Sequence, residues 1–331
     1  MSGKPLVSIV CATYNHELYI AQAIESFLMQ KTAFEVEIII GEDCSADKTK
    51  EICIFYKKKH LDKIKLLLQE KNIGAMQNHV SALRASEGKY IANCDGDDYW
   101  TDSYKLQKQV DYMERHPECS LCFHAVEIVK GKTKTGKIIR AASQDKIFPS
   151  NQLFGLGPEA PTSSLLFKKK SIENLPQWLL DAPVGDIPLK LTLAQHGTVA
   201  YINEVMSIRR VGVPSSFSDR MYDYRSRRLL YPQMIKMLDN FNQSTNFQFS
   251  NDILAERMHY ELITLVFQDK TDIAAIRRLA RSSKYYDCIR RLSIKKKMRF
   301  YLIYLFPSIY KRICSSRIGW AVKNSIFSKN I

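Results

Sequence analysis

The chain has 331 residues, 45% of them hydrophobic and 25% charged, with a formal net charge of +15. That length supports one large domain plus a smaller appendage, and a composition free of low-complexity tracts and fixed-period repeats excludes a disordered or fibrous chain. From residue 277 onward fifteen Lys and Arg stand against the single acid Asp287, whereas residues 1–276 hold 34 basic and 33 acidic side chains; the basic character belongs to an attachment, and nucleic acid is not expected as a partner of the main domain.

In chain order, "LVSIVCA" (Leu6 to Ala12) predicts a buried strand, and "ELYIAQAIESFLMQ" sets Ile20, Ala23, Ile24, Phe27 and Leu28 on one helical face. "VEIIIG" predicts a second strand, followed by a helix through Ile52 and Phe55 with Ser45 as its cap. "IKLLLQ" is a third strand, "GAMQNHVSALRASEG" a helix closed by Gly88, and "KYIAN" a fourth strand. A helix carrying Leu106, Val110 and Met113 ends before Pro117, and "SLCFHAVEIVKGKTKTGKIIR" predicts a hairpin turning from Gly131 to Gly136. "PTSSLLFKKKSI" is a strand running into a helix, "GDIPLKLTLAQHG" a short helix with Asp186 near its start, and "TVAYINEVMSIRR" a strand. After Ser218 long segments of helical period dominate, which places a boundary near Pro214 to Ser218.

Alternating strands and helices imply right-handed crossovers and a mostly parallel sheet covered on both faces. Ligands gather at the carboxyl ends of such strands. The rule brings together "TYNHE" after the first strand, "EDCSADKT" after the second and "CDGDDYW" after the fourth.

Eight cysteines, several inside apolar runs (Cys11, Cys94, Cys122), suit a reducing compartment. The single C-x-x-C of Cys119 and Cys122 lacks the four ligands of a structural zinc site. The opening "MSGKPLVSIVCATYN" lacks the pattern of a signal peptide, and no run approaches the ~20 apolar residues of a membrane span. A cytoplasmic protein, peripheral at the inner face of the cell membrane at most, is the expectation.

"NCDGDDYW" carries the most specific chemistry. Asp95 and Asp97 bracket Gly96, whose freedom lets the backbone turn so that both carboxylates face one side. Such oxygen ligands suit Mg²⁺ or Mn²⁺, which bind through one or two carboxylates and complete their shells with water and phosphate. An EF-hand loop is excluded by Tyr99 and Trp100 at its fifth and sixth positions.

"VSIVCATYNHELYIAQAIESFLMQ", "EIIIGEDCSADKT", "NIGAMQNHVSAL" and "GKYIANCDGDDYW", in this order and spacing, resemble the nucleotide-sugar-binding half of family 2 glycosyltransferases. The resemblance is close over about the first 115 residues and weaker to about residue 215. It implies an α/β GT-A fold, with a Rossmann-like, mostly parallel sheet flanked by helices: residues 1–215 would form the transferase domain, in a donor half (1–115) and an acceptor half (116–215). Residues 216–331 would form a helical, basic extension. It also implies a nucleotide-diphosphate sugar donor, a Mn²⁺ or Mg²⁺ cofactor and inversion at the anomeric carbon.

By this resemblance Ala12, Tyr14, Asp43 and Asp95 belong to nucleotide binding. Asp43 would accept a hydrogen bond from a uracil or thymine ring, and Tyr14 would lie against the base. Asp97, with Asp95, would hold the metal. Asp98, Trp100, Thr162 and Ser163 fall in the donor-sugar or acceptor pocket, and Asp186 matches the base that deprotonates the acceptor hydroxyl. The sequence departs from the family pattern in three places: Ala12 replaces the usual proline, Glu42 replaces the first acid of "DD", and Val211–Val213 stand where many relatives carry a histidine, leaving Arg209 or Arg210 to supply positive charge. Absence of a Q-x-x-R-W element argues for one sugar per encounter. The expected acceptor is a saccharide or lipid-linked saccharide of bacterial surface polysaccharide. A basic tail interleaved with Leu, Ile, Tyr and Phe suits an anionic membrane surface or packing on the main domain. The alternative functions are a non-catalytic nucleotide-sugar binder and a sugar-nucleotide nucleotidyltransferase. The latter would need a Gly-rich phosphate loop, and "CATYNHE" has no glycine.

Overall fold

The computed structural model describes residues 5–131, 133–154, 158–213, 216, 224–268, 271–292 and 294–314. The chain divides into two compact units, one of residues 1–153 and 158–211, the other of residues 154–157 and 212–331.

The first unit is built on a ten-stranded sheet. Strands β1 (Val7–Thr13), β2 (Val36–Glu42), β3 (Ile64–Leu68) and β4 (Tyr90–Asn93) are mutually parallel in the order β3-β2-β1-β4. β9 (Leu166–Lys168) follows β4 and runs against both it and β6 (Cys119–Lys130), and β6 is parallel to β10 (Thr198–Val211). Ile9, Ile38, Ile40, Ala92 and Cys94 lie in one core with the face of helix α1 (Ile20–Leu28) made by Ile20, Ala23, Ile24 and Phe27. Each fully buried aliphatic side chain of this size contributes about 1.5–3 kcal/mol, so the strand-end loops stand on a rigid base.

Local signals and outcome differ where side chains had competing partners. Helix α2 (Thr49–Lys59) starts at Lys48, not at Ser45, because the Ser45 hydroxyl accepts the Asn15 N–H at 2.9 Å and Asp47 Oδ1 accepts the Thr49 N–H. Helix α3 (Ala75–Ala85) ends at Ser86. Gly88 lies beyond it, packed so tightly on β1 that a Cβ would meet the Ser8 amide nitrogen at 2.7 Å. The hairpin partner of β6 is β7 (Thr133–Ile139), so the turn is shorter than expected and Gly136 sits inside the strand at a φ of 68°. After β9 only a 3-10 turn forms, at Lys169–Ile172.

Two short strands carried no pattern: β5 (Tyr99–Trp100), antiparallel to Ser207 and Ile208 of β10, and β8 (Lys146–Phe148). Helix α4 (Lys105–Arg115) buries Leu106, Val110 and Met113, and helix α6 (Asp186–Leu193) follows a single helical turn, α5, at Gln177–Leu180.

The second unit is helical. Helices α7 (Tyr224–Ser244) and α8 (Ser250–Phe267) are joined by an Arg257–Asp239 ion pair at 2.7 Å, and four shorter helices follow: α9 (Ile273–Ala280), α10 (Ser283–Arg291), α11 (Ile294–Leu305) and α12 (Pro307–Cys314). Asp272 caps α9 by accepting the Ala275 N–H at 2.8 Å. Among the described residues no helix is long and apolar enough to cross a membrane.

Candidate active site

The loops after β1, β2 and β4 meet at one edge of the sheet. Backbone bonds run from Asp43 N–H to the Thr13 carbonyl (3.1 Å) and from Gly96 N–H to the Ala12 carbonyl (3.0 Å). The first two loops are stitched reciprocally. Ala46 N–H donates to Asn15 Oδ1, His16 N–H to Thr49 Oγ1, Glu17 N–H to Asp47 Oδ2 and Lys48 N–H to Glu17 Oε2. Within these loops Asn15 and Cys44 adopt the left-handed region, at φ of 54° and 57°, a conformation uncommon outside glycine.

Asp43 is nearly inaccessible, at 2% exposure, and its two oxygens accept the Ile73 and Gly74 N–H groups at 2.8 and 3.0 Å. Burial raises its pKa, with those two amides acting in the opposite direction. Each oxygen keeps a lone pair beyond the bond it makes. Tyr14, 40% exposed, stands free beside this loop pair. Glu42 accepts the Ser45 N–H through Oε1, and its buried Oε2 has no partner among the described residues.

The acidic turn is wedged against the first loop. A Cβ on Gly96 would meet Thr13 Oγ1 at 2.5 Å and His16 Nδ1 at 2.9 Å, so no larger residue fits without moving the turn. Gly96→Ala is expected to lower stability by about 1–3 kcal/mol, read as an earlier urea midpoint, and to depress activity further than that loss explains.

The three aspartates are inequivalent. Asp98 is buried and accepts the Arg210 N–H at 2.8 Å through Oδ1. Burial and then the neighbouring Asp97 raise its pKa well above the ordinary value. Asp95 is pushed up to about 7, first by burial, then by Asp97 and Asp186, with Arg209 opposing. The Asp97 carboxylate accepts no hydrogen bond among the described residues, while its carbonyl accepts Arg210 Nη1. Acids that raise one another's pKa in this way form a site that a cation would relieve.

Arg209 and Arg210, adjacent on β10, do different work. Arg210 is buried, bonded to Gln22 and the Asp97 carbonyl, and lies over the rings of Tyr19 and Tyr99 at 4.9 and 4.6 Å. It clamps the acidic turn from behind. Arg209 pairs with Glu159 at 2.7 Å and lies near enough to Asp95, Asp98 and Asp186 to influence them.

Asp186 opens helix α6 and pairs with Lys190 at 3.1 Å, its side chain 40% exposed. Burial alone would raise its pKa, but Lys190, then Arg209 and the Ile187 N–H, bring it below the ordinary 3.8. It lies near enough to Asp95 to act on it electrostatically.

Two expected pocket residues are turned inward. Trp100 is 1% exposed, meets Phe27 edge-on at 4.9 Å and donates Nε1–H to the Ser163 carbonyl at 2.9 Å. Ser163 is fully buried with its hydroxyl 3.2 Å from that of Ser207. Both are packed inside the core and brace the site from there. Thr162, partly exposed at the start of a 3-10 turn, is the accessible member of that segment. Asn15, Glu17, Asp47 and Gln22 were missed as supporting residues, because their role is visible only once the loops are side by side.

Residues 8–175, half of the chain, match the pattern described as glycosyl transferase family 2. The chain belongs to glycosyl transferase family 2. Among curated relatives of this family 2 glycosyltransferase is the putative teichuronic acid biosynthesis glycosyltransferase TuaG of Bacillus subtilis, 34% identical over 139 residues, 42% of this chain and 54% of that one. The chain spans about half the length of the curated relatives it matches.

Two solved structures share its fold. The mannosyltransferase PcManGT from Pyrobaculum calidifontis, in complex with GDP-Man and Mn²⁺, aligns with a TM-score of 0.54 at 16% identity over 99% of this chain and 89% of that one. S. aureus TarS 1-349, in complex with UDP, aligns with a TM-score of 0.51 at 16% identity over 97% and 88%. The family 2 glycosyltransferase is therefore a GT-A protein with a C-terminal helical extension, as the sequence motifs imply.

Proposed function

We propose that this family 2 glycosyltransferase moves one hexosyl or N-acetylhexosaminyl unit from a nucleotide-diphosphate sugar to a saccharide hydroxyl, with inversion. The observation that carries the reading is the gathering of Asp95 and Asp97 with Asp186 beside them, in reach of the Tyr14 and Asp43 loops.

A divalent cation fits the acidic turn. The Asp97 carboxylate accepts no hydrogen bond among the described residues, and the charges of Asp97 and Asp186 both act on buried Asp95, a repulsion that a cation held by Asp95 and Asp97 would relieve. That donor set suits Mn²⁺ or Mg²⁺ shared with a diphosphate and water, and the Mn²⁺ complex of PcManGT supports it. When bound, the cation would neutralise charge on the leaving diphosphate.

The chain's own residues would do the remainder. Tyr14 offers a face for the base, and Asp43 holds the loop of Ile73 and Gly74 beneath it while keeping acceptor capacity for an imide N–H. Asp186 takes the acceptor hydroxyl proton as that oxygen bonds to the anomeric carbon. The bond from the anomeric carbon to the diphosphate breaks, and its electron pair leaves with the diphosphate. Lys190 keeps Asp186 ionised and oriented.

UDP- or dTDP-sugars are the favoured donors because Asp43 is an acceptor, and UDP in TarS supports the former. The name of TuaG supports an acceptor in bacterial surface polysaccharide, as a free or lipid-linked saccharide. A panel of nucleotide sugars, scored by thermal stabilisation with and without Mn²⁺, tests the donor. At about 100 times Kd a ligand adds ~2.7 kcal/mol. A UDP- or dTDP-sugar should raise Tm only with Mn²⁺ or Mg²⁺, and equal silence across the panel would refute the reading.

A further inference from the structure

The helical unit contains a cavity that the transfer reading does not use. A cavity of about 570 Å³ is lined by Arg281, Arg290 and Lys297 together with Tyr285, Phe300 and Tyr304. None of the three cations forms an ion pair among the described residues, and Arg281 and Arg290 are exposed. Tyr285 is fixed from behind by its hydroxyl bond to Glu261, which also pairs with Arg257 at 3.1 Å. Glu261, the acid bonded to Tyr285, is thus engaged by Arg257 and not by the cavity cations.

Beside the cavity runs an uncovered apolar stripe. Ile294, Met298, Tyr301 and Leu305 of α11 are 77%, 57%, 49% and 55% exposed, and their spacing of four, three and four residues puts them on one helical face. Phe306 and Ile309, next along the chain, are also exposed, at 51% and 53%. Tyr301 belongs to both features, since it also lines the cavity. A soluble surface rarely leaves so many large apolar side chains contiguous, and cations flanking such a stripe are the chemistry of a helix lying in a bilayer interface.

We propose that this cavity and stripe form a site for anionic lipid, with a headgroup phosphate among Arg281, Arg290 and Lys297 and the stripe of α11 set into the acyl boundary. Charge decides the occupant: residues 277–331 carry fifteen basic side chains and one acid, so an anionic surface is favoured over a zwitterionic one or a basic protein. The site stands whether or not the transfer chemistry does.

Sedimentation of the full chain with phosphatidylcholine vesicles, with and without phosphatidylglycerol, tests it. Binding is expected only with phosphatidylglycerol. Changing Arg281, Arg290 and Lys297 together to Ser should weaken partition on the order of 100-fold, whereas the charge-matched changes of exposed Lys50, Lys58 and Lys63 to Ser should leave it near wild type. Met298→Ser with Tyr301→Ser, at exposed positions that do not endanger folding, should also release the protein from the vesicles. Equal binding to both vesicles, or equal losses in the cavity and control variants, would overturn the proposal. So would full displacement by inorganic phosphate with an unaffected Met298/Tyr301 variant, which would mark a site for free anions.

Discussion

Asp97→Asn is expected to cut sugar transfer by about three orders of magnitude while leaving the melting temperature nearly unchanged. The two effects separate because the Asp97 carboxylate holds nothing together in the protein. The backbone of that residue does the structural work, through the carbonyl that accepts Arg210 Nη1, and asparagine keeps it. What is lost is one of two anionic ligands for the cation that would share the donor diphosphate. Asp98→Asn, in contrast, is expected to cost stability first, because Asp98 is buried and accepts the Arg210 N–H. Steady-state transfer and thermal melts on the two variants would show this crossing of effects. Equal activity losses with equal Tm losses would remove the distinction between ligand and brace.

Asp186→Asn is expected to lower kcat by about a thousandfold with donor affinity retained, because the side chain would act on the acceptor proton and not on the nucleotide. Lys190 supplies a second readout. With its ammonium at 3.1 Å and Arg209 nearby, Asp186 is ionised down to below the ordinary value of 3.8. The folded-state pKa is depressed, so the pair's contribution to stability is present above the unfolded value and is lost as pH falls through the folded one. Lys190→Met removes the largest opposing charge. The acid limb of kcat/KM should then move to higher pH, in the direction burial alone would drive it. A Lys190→Met profile superimposable on wild type would show that Asp186 is not the group whose ionisation is read.

Much of this was legible in the residues. The apolar runs of β1, β2 and β4 are continuous because those strands are covered on both faces, and their order alone predicts that the polar stretches behind them share one edge. Asp95 and Asp97 were identifiable by position behind a strand, whereas Asp43 and Asp186 were singled out by the family resemblance. Orientation was less visible. Trp100 follows the acidic run directly and suggests a sugar platform, yet in a strand of two residues only alternation decides which of Tyr99 and Trp100 faces inward, and nothing local sets the register. The same alternation separates Arg209 from Arg210: adjacent residues on β10 must face opposite ways, but only the pairing with β5 shows which one meets the acidic turn from behind. Ser45 and Ser163 were read as a cap and a ligand contact because hydroxyls favour both roles. Long-range partners, Asn15 and Ser207, claimed them instead.

The most direct test is calorimetric titration of the wild-type chain and Asp97→Asn with UDP and dTDP, in Mn²⁺ and in chelator. The wild type should bind at least one of the two with Mn²⁺ and lose it in chelator, and the variant should bind weakly under both conditions. Nucleotide binding that ignores the cation, or that is the same in Asp97→Asn as in wild type, would contradict an acidic turn built to share a metal with the donor diphosphate.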